Sequence, residues 1–302
     1  MLCVNIGDDK IKIVDGKTSG GKVVVNKCYE VETKVGSMES GNIKDLMAFS
    51  QVLQECITSG GIKNTDLIYV LDNPRVIFRE MVVPDVSQDK VKLIVGNEIF
   101  SDSKMAINTL DYIVENTFKN EEGKKRARIT VTYVSNDAID SLHTAATELG
   151  MRPTILDVAP NSISKLVEKF VKSNRGVLED TFVLLDYKDS FISLYVFDHG
   201  QRKFSKNSTL YVGSKTDNTY LLGELTSNIN SVIRFYESRS GVNVTSIYIT
   251  GNVEALSDDL LQGLAESMNM MISHFPIPTF VKGVDIYDFN KYSGAIGAFL
   301  RR

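Results

Sequence analysis

LCVNIGDDKIKIV at residues 2–14 and FVLLDYKDSFISLYV at residues 182–196 share one pattern: an apolar strand, a short polar turn and a second apolar strand. Apolar runs of about five residues bounded by turn residues suit strands buried on both faces. Each pair is followed by a further strand, VVVNKCYEV at 23–31 and RKFSKNSTL at 202–210. Such a recurrence predicts two related lobes. Asn5 then corresponds to Asp186, Gly7 to Lys188, and Asp9 to Ser190. A tight turn at the mouth of each lobe points backbone N–H groups into a shared cleft and suits a phosphate chain. An acid at a strand end suits a hydrated Mg2+.

Outward from these hairpins the pattern alternates strand and helix. In the first unit Asp15-Gly16 is a hairpin signal, and Leu46, Phe49, Leu53 and Ile57 mark one face of a helix that Gly60-Gly61 ends. LIYVL at 67–71 is the next strand. Residues 76–150 read differently, as a β-α-β-β-α block: VIFREMVVP, a helix capped by Ser87, two strands around a charged turn, and a helix from Asp137 to Leu149. RPTILDV and a helix bearing Ile163, Leu166, Val167 and Phe170 resume the first lobe. In the second lobe a long helix spans about Asp217–Arg239, SIYIT is a strand, and a helix around Asp258–Met271 precedes a strand at Ile272–Phe275. The tail YSGAIGAFLRR reads as a helix whose Gly294, Ala295, Gly297 and Ala298 allow close packing.

Composition narrows the function classes. Hydrophobic residues at 43% and charged residues at 24% describe a folded globular chain of two lobes rather than a disordered one. A net charge of −4 gives no general attraction to nucleic acid. The basic run Lys124, Lys125, Arg126 and Arg128 follows an acidic pair and reads as a solvated hairpin turn. Cys3, Cys28 and Cys56 have neither metal-ligand nor disulfide-framework spacing, which suits a reducing compartment. No stretch reaches the ~20 apolar residues of a membrane span, and MLCVNIGDDK lacks the apolar run of a signal peptide. The expectation is a cytoplasmic protein that meets a membrane only through partners. His143, His199 and His274 form no triad or metal set, Met270 and Met271 read as core filling, and Arg234 and Glu237 read as solvent-facing.

Taken in order, these segments resemble the actin-like ATPase superfamily and, within it, the PilM family of type IV pilus assembly proteins. NIGDDKIKIV resembles that family's first phosphate hairpin, and RVIFREMVVP its strand ending in proline before an inserted subdomain. YVSNDAIDSLHTAATELGMRPTILDV, LLDYKDSFISLYVFDHG, SNINSVIRFYES, YITGN and YSGAIGAFLR follow in the family's order. Each motif alone is weak; their order over nearly the whole chain is the signal. The resemblance implies an α/β, actin-like (RNase H-like) two-lobed fold. Its parts are subdomain 1A at 1–75 and 151–178, an inserted 1C at 76–150, and a second lobe at 179–302 made of 2A with a reduced 2B. It implies a place at the inner face of the cell membrane among pilus machine components. The implied partner is a PilN-type inner-membrane protein, bound through a short cytoplasmic peptide in a groove between 1A and 1C. Val76, Phe78, Arg79 and Val82 are the residues expected on that groove.

The resemblance also implies ATP and Mg2+ at Asn5, Gly7, Asp8, Asp9, Lys10, Asp186, Lys188, Ser190, Gly251 and Asn252, with Asp186 on the metal. Here the chain departs from the family. The metal-orienting acid of the first hairpin is the neutral Asn5, and two small hydroxyl positions are Asp8 and Asp9. Two carboxylates about 4 Å from a triphosphate are repulsive by roughly 1–4 kcal/mol per charge pair. The close-approach glycine of the second hairpin is Lys188, and the glycine after Gly251 is Asn252. The expectation is an adaptor with a degraded nucleotide site. The alternatives are a competent ATP-binding protein whose Asp8 or Asp9 has taken over the metal and, more remotely, a sugar kinase of the same superfamily.

Overall fold

β1 (Leu2–Ile6), β2 (Lys10–Ser19) and β3 (Lys22–Glu32) form an antiparallel meander. β6 (Asp66–Leu71) adds to the other side of β1 in parallel, and β10 (Arg152–Val158) adds to β6. A second sheet repeats this plan. Its meander is β11 (Thr181–Tyr187), β12 (Phe191–Asp198) and β13 (Gln201–Thr209), with β14 (Ser246–Gly251) and β15 (Met271–His274) parallel beyond β11. The computed structural model describes residues 1–39, 42–73, 77–100, 108–211 and 217–300.

The registers of the two meanders agree. Ile6 faces Ile11 across the first turn, where the Gly7 N–H donates to the Lys10 carbonyl at 2.9 Å. Tyr187 faces Ile192 across the second, where the Lys188 N–H donates to the Phe191 carbonyl at 3.0 Å. Asn5 and Asp186, and Gly7 and Lys188, are thus structural equivalents, as the sequence pattern requires.

Helices fill the layers between and outside the sheets. α1 (Leu46–Gly60) and α3 (Asn136–Glu148) cover the outer face of the first sheet, where Phe49, Leu53, Leu142 and Ala145 meet Ile6, Ile13 and Tyr69. α5 (Asn218–Ser240) and α6 (Asp258–Met268) cover the outer face of the second through Leu225, Ile229, Val232 and Leu264. Between the sheets lies a shared core of α4 (Ala159–Ser173), α7 (Ile286–Lys291) and α8 (Ser293–Ala298), where Ile163, Phe170, Phe289 and Ile296 bridge both. Because period-3.6 apolar stripes face these cores, burial rather than intrinsic propensity holds the helices. Local caps set their ends: Asp45 accepts from the Ala48 N–H at 2.9 Å, and Gly61 in the left-handed region stops α1.

An inserted unit stands on the first lobe. β7 (Ile77–Pro84), β9 (Lys125–Ser135) and β8 (Asn108–Lys119) form an antiparallel sheet in the order β7-β9-β8. α2 (Gln88–Phe100) packs on one face through Val91 and Val95 against Met81, Val83, Ile129 and Val131. The opposite face of this small sheet is turned towards the two lobes, and Thr130 on it is buried.

Several expectations change. Asp15-Gly16 is not a turn: β2 runs on to Ser19, and a register shift falls between Asp15 and Gly16. The chain reverses instead at Gly20-Gly21, both with positive φ. Two-residue reversals need such backbone, and Gly-Gly supplies it where Asp-Gly sits mid-strand. The C-terminal segment does not stay with the second lobe. β16 (Val281–Lys282) pairs with β3, and α8 lies against α4 and β1. α6 ends at Met268 because Asn269 adopts φ 50°, and Met271 is 56% exposed rather than core. A two-stranded pair, β4 (Met38–Glu39) and β5 (Asn42–Ile43), carries no signal in the apolar pattern.

A Cβ at Gly297 would lie 2.3 Å from the Ser162 carbonyl oxygen, so α8 and α4 touch backbone to backbone. Gly297→Ala is expected to lower stability by about 1–3 kcal/mol through overpacking, read as a lower urea midpoint. Gly223→Ala, in the exposed middle of α5 with nothing within 4 Å of the added carbon, should raise it by up to about 1 kcal/mol.

Candidate functional site

The two equivalent turns face each other across one cleft. Its lining includes Asn5, Gly7, Asp8, Asp9 and Lys10 from the first lobe, and Lys188, Asp189, Ser190 and Asn252 from the second. The predicted nucleotide residues are therefore gathered in one place. Asp186 lies beneath, buried at the end of β11. Gly251 lies behind it with φ 89°, and a Cβ there would sit 2.1 Å from the Tyr187 carbonyl oxygen. Only glycine lets β14 end this close to β11.

The cleft is closed by its own side chains. The Lys188 ammonium sits 2.6 Å from Asp186 Oδ2 and 3.0 Å from Asp72 Oδ1, so one cation joins carboxylates of both lobes. It also lies over the Phe191 ring, 4.7 Å from the centroid. Burial alone would lower the Lys188 pKa, but Asp186 and Asp72 more than offset that and hold it above the ordinary lysine value. Asn5 donates from Nδ2 to the other oxygen of Asp72 at 3.3 Å. Nearer the mouth, Lys10 bridges Asp189 at 3.0 Å and Glu30 at 3.4 Å, and Asn252 donates to Asp189 at 2.8 Å. Asn73 donates to Asp8 at 2.6 Å, while Asp9 is exposed. Lys12 is pressed into the floor, donating to the Lys291 carbonyl at 3.0 Å, and burial lowers its pKa.

Three properties of this cleft bear on its chemistry. The cleft's volume is about 50 Å3, against the roughly 300–1000 Å3 of small-molecule sites. Five carboxylates line it (Asp8, Asp9, Glu30, Asp72 and Asp189) against three lysines, Lys10, Lys12 and Lys188. Among the described residues no group of three or more His, Cys, Asp or Glu side chains is arranged to hold a metal ion.

Sequence reasoning missed Asp72, Glu30 and Lys12. A signal for Asp72 was present: it follows β6 where Asn252 follows β14, because Leu71 pairs with Ile6 as Gly251 pairs with Tyr187. The histidines are where the pattern placed them. His143 and His199 are exposed, and His274 is half-buried against the Tyr287 ring at 5.9 Å. Arg234 faces solvent, but Glu237 is half-buried and accepts from the Val244 N–H at 3.0 Å.

A second concave region lies between the first lobe and the inserted sheet, with a volume of about 350 Å3. Ile113 from β8, Val134 from β9, Ile139 from α3, and Leu156 and Val158 from β10 give it an apolar lining. Of the expected groove residues, Arg79 and Val82 do not line it. Val76 and the side chain of Phe78 lie outside the described residues. Arg79 and Val82 are exposed on β7, the strand at the far edge of the inserted sheet from β8. The wall facing the first lobe is built by β8 and β9 because the order is β7-β9-β8, which apolar alternation alone does not reveal.

No family model matches the chain, and no curated protein matches it. Solved structures do. A chain of a PilM–PilN type IV pilus biogenesis complex superposes with a TM-score of 0.79 at 16% identity, covering 99% of this chain and 97% of that one. The ethanolamine utilization protein EutJ from Carboxydothermus hydrogenoformans gives 0.53 at 10% identity, over 99% and 88%. A Bacteroides thetaiotaomicron protein described as having an actin-like ATPase fold gives 0.51 at 10% identity, over 90% and 89%. The fold is therefore that of the actin-like ATPases. No helix among the described residues is long and apolar enough to cross a membrane.

Removing the Lys188 ammonium would leave Asp72 and Asp186 buried without their shared cation. Lys188→Met is expected to cost about 3–5 kcal/mol in denaturant titrations near neutral pH. Burial pushes the Asp186 pKa up. A carboxyl with a raised folded-state pKa favours the folded form at low pH and loses that contribution as pH rises. The deficit should therefore shrink as pH falls from about 8 towards about 5. Adding Asp186→Asn should recover most of the loss.

Proposed function

We propose that the chain is a nucleotide-independent adaptor of a type IV pilus assembly machine, with the fold of an ATPase and the role of a peptide clamp. The observation that carries this reading is the Lys188–Asp186–Asp72 bridge in the cleft where the two hairpins meet. A Mg2+-bound triphosphate needs space, donors and a surplus of positive charge. The cleft offers about 50 Å3 and more carboxylates than ammonium groups. These residues do not fit the nucleotide or its metal. The cation that a bound metal would bring is supplied by Lys188, and Asn5, Asn252 and Asn73 each satisfy a carboxylate beside it.

The partner-binding part of the proposal rests on the groove of Ile113, Val134, Ile139, Leu156 and Val158. It is an open apolar recess beside the edge strand β10, of a size suited to a few side chains of an extended segment. The likeness to a PilM–PilN complex over nearly the full length of both chains supports a PilN-type partner, and a short cytoplasmic peptide of that partner is the segment proposed for the groove. On this reading the chain sits at the inner face of the membrane through that partner, together with other pilus components.

Two titrations by calorimetry test the proposal. Mg-ATP is expected to give no binding heat at micromolar to millimolar concentration, whereas a synthetic N-terminal peptide of the PilN-type protein from the same genome binds without nucleotide. Leu156→Asp places a charge on an exposed groove position and should weaken the peptide by about tenfold or more. Micromolar binding of Mg-ATP would overturn the nucleotide-independent reading, and a peptide indifferent to Leu156→Asp would overturn the groove.

A further inference from the structure

The groove does not stop at the first lobe. Farther along the same face of the inserted sheet lies a second recess of about 640 Å3, between that sheet and the second lobe. Thr130 lines both. The reason is the pleat of the small sheet: Glu80 faces Thr130 across β7 and β9, Ile113 faces Thr130 across β8 and β9, and Val82 faces Arg128. These side chains share the face opposite α2. The face of β7-β9-β8 opposite α2 thus roofs two neighbouring recesses that meet at the buried Thr130, a trench with the first lobe under one half and β13 and α5 of the second lobe under the other.

The two halves differ in chemistry. The first-lobe half is mainly apolar, with Asp111, Asp157 and Asn161 also on its lining. The second-lobe half carries four cations, Arg128, Arg202, Lys203 and Arg239, against two carboxylates, Glu80 and Asp198. Asp198 is already engaged by the Thr181 hydroxyl at 3.0 Å and by His199 Nδ1 at 2.7 Å. Arg239 is laid over the Phe235 ring, 4.4 Å from the centroid, and Phe235 packs on Phe204 at 4.6 Å. A chain of net charge −4 thus concentrates positive charge at this one end of the trench.

We propose that this trench takes a single extended peptide with an apolar stretch seated against the first lobe and an acidic stretch seated against the second. The proposal rests on the peptide-clamp reading and adds the charge and the order of the ligand. From Val134 to Arg128 along β9 is six residues, or about 20 Å of strand, so the two stretches are roughly six extended residues apart from centre to centre. One peptide of about a dozen residues covers both halves.

Selection from a displayed library of random peptides of about twelve residues against the immobilised full chain tests it. Enriched sequences should pair an apolar cluster with two or more Asp or Glu at that spacing. The best peptide, followed by fluorescence anisotropy, should bind Lys203→Glu/Arg239→Glu about tenfold or more weakly. Both positions are exposed, and an unchanged circular dichroism melt confirms folding. Binding to the unaltered chain should weaken several-fold between about 50 and about 300 mM NaCl, and the double variant should lose that dependence. Enriched peptides that are apolar without acidic bias, or that ignore both salt and charge reversal, overturn the bipartite ligand and leave the clamp standing. Absence of any enriched peptide overturns the clamp itself.

Discussion

A buried ammonium cannot stand alone. Transferring one from water into a protein interior is prohibitive unless carboxylates and hydrogen bonds replace its hydration. Lys188 meets that condition only where Asp186 of the second lobe and Asp72 of the first come together around it. The bridge therefore fixes how the two lobes close. It also explains Asn5. A carboxylate there would lie about where Nδ2 now donates to Asp72, adding a third negative charge to a pair balanced by a single cation. The amide and the lysine are one change seen at two positions, and Asn252 holding Asp189 against Lys10 extends the same arrangement to the rim.

The duplicated sheets set the frame in which this happens. Parallel addition of β6 to β1 and of β14 to β11 repeats one plan in both sheets, and the turns of the two meanders line one cleft. The layer between the sheets holds them there. α8 approaches β1 and α4 so closely that a carbon at Gly294 would sit 2.8 Å from Asn5 Nδ2, and Ser162 donates to the Gly294 carbonyl at 2.5 Å. A helix of larger residues would push the lobes apart at the cleft floor. Small residues in the C-terminal helix and the ion bridge above it are two parts of one closure.

Much of this was legible in the chain. The paired hairpins, the order of strands and helices, and the odd residues of the turns all appear as period, punctuation and charge. What could not be read depends on three-dimensional order. Asp72 and Glu30 are single acids far from either hairpin in sequence, brought to the cleft by parallel and antiparallel pairing. The edge order of the inserted sheet decides that β8, not β7, faces the first lobe, and a strand apolar on both faces gives no sign of it. Asp15-Gly16 misled for a related reason: a local turn signal was overridden by a register shift within a long strand whose reversal lies four residues on.

The two concave regions that result have opposite electrostatics. In the cleft, carboxylates outnumber ammonium groups in a space of about 50 Å3, so a polyphosphate meets like charge at short range with little intervening water. At the far end of the trench, cations outnumber carboxylates in an open recess of about 640 Å3, where an acidic segment can approach while still solvated. Charges at such a surface act over a Debye length of about 8 Å at physiological salt, enough to orient an arriving peptide but not to hold it. Holding falls to the apolar half, where burial contributes roughly 25 cal/mol per Å2 irrespective of salt. On the proposed reading, direction from one end and retention from the other follow from the inserted sheet spanning both lobes. The span is fixed because the shared helix layer and the Lys188 bridge together keep those lobes closed.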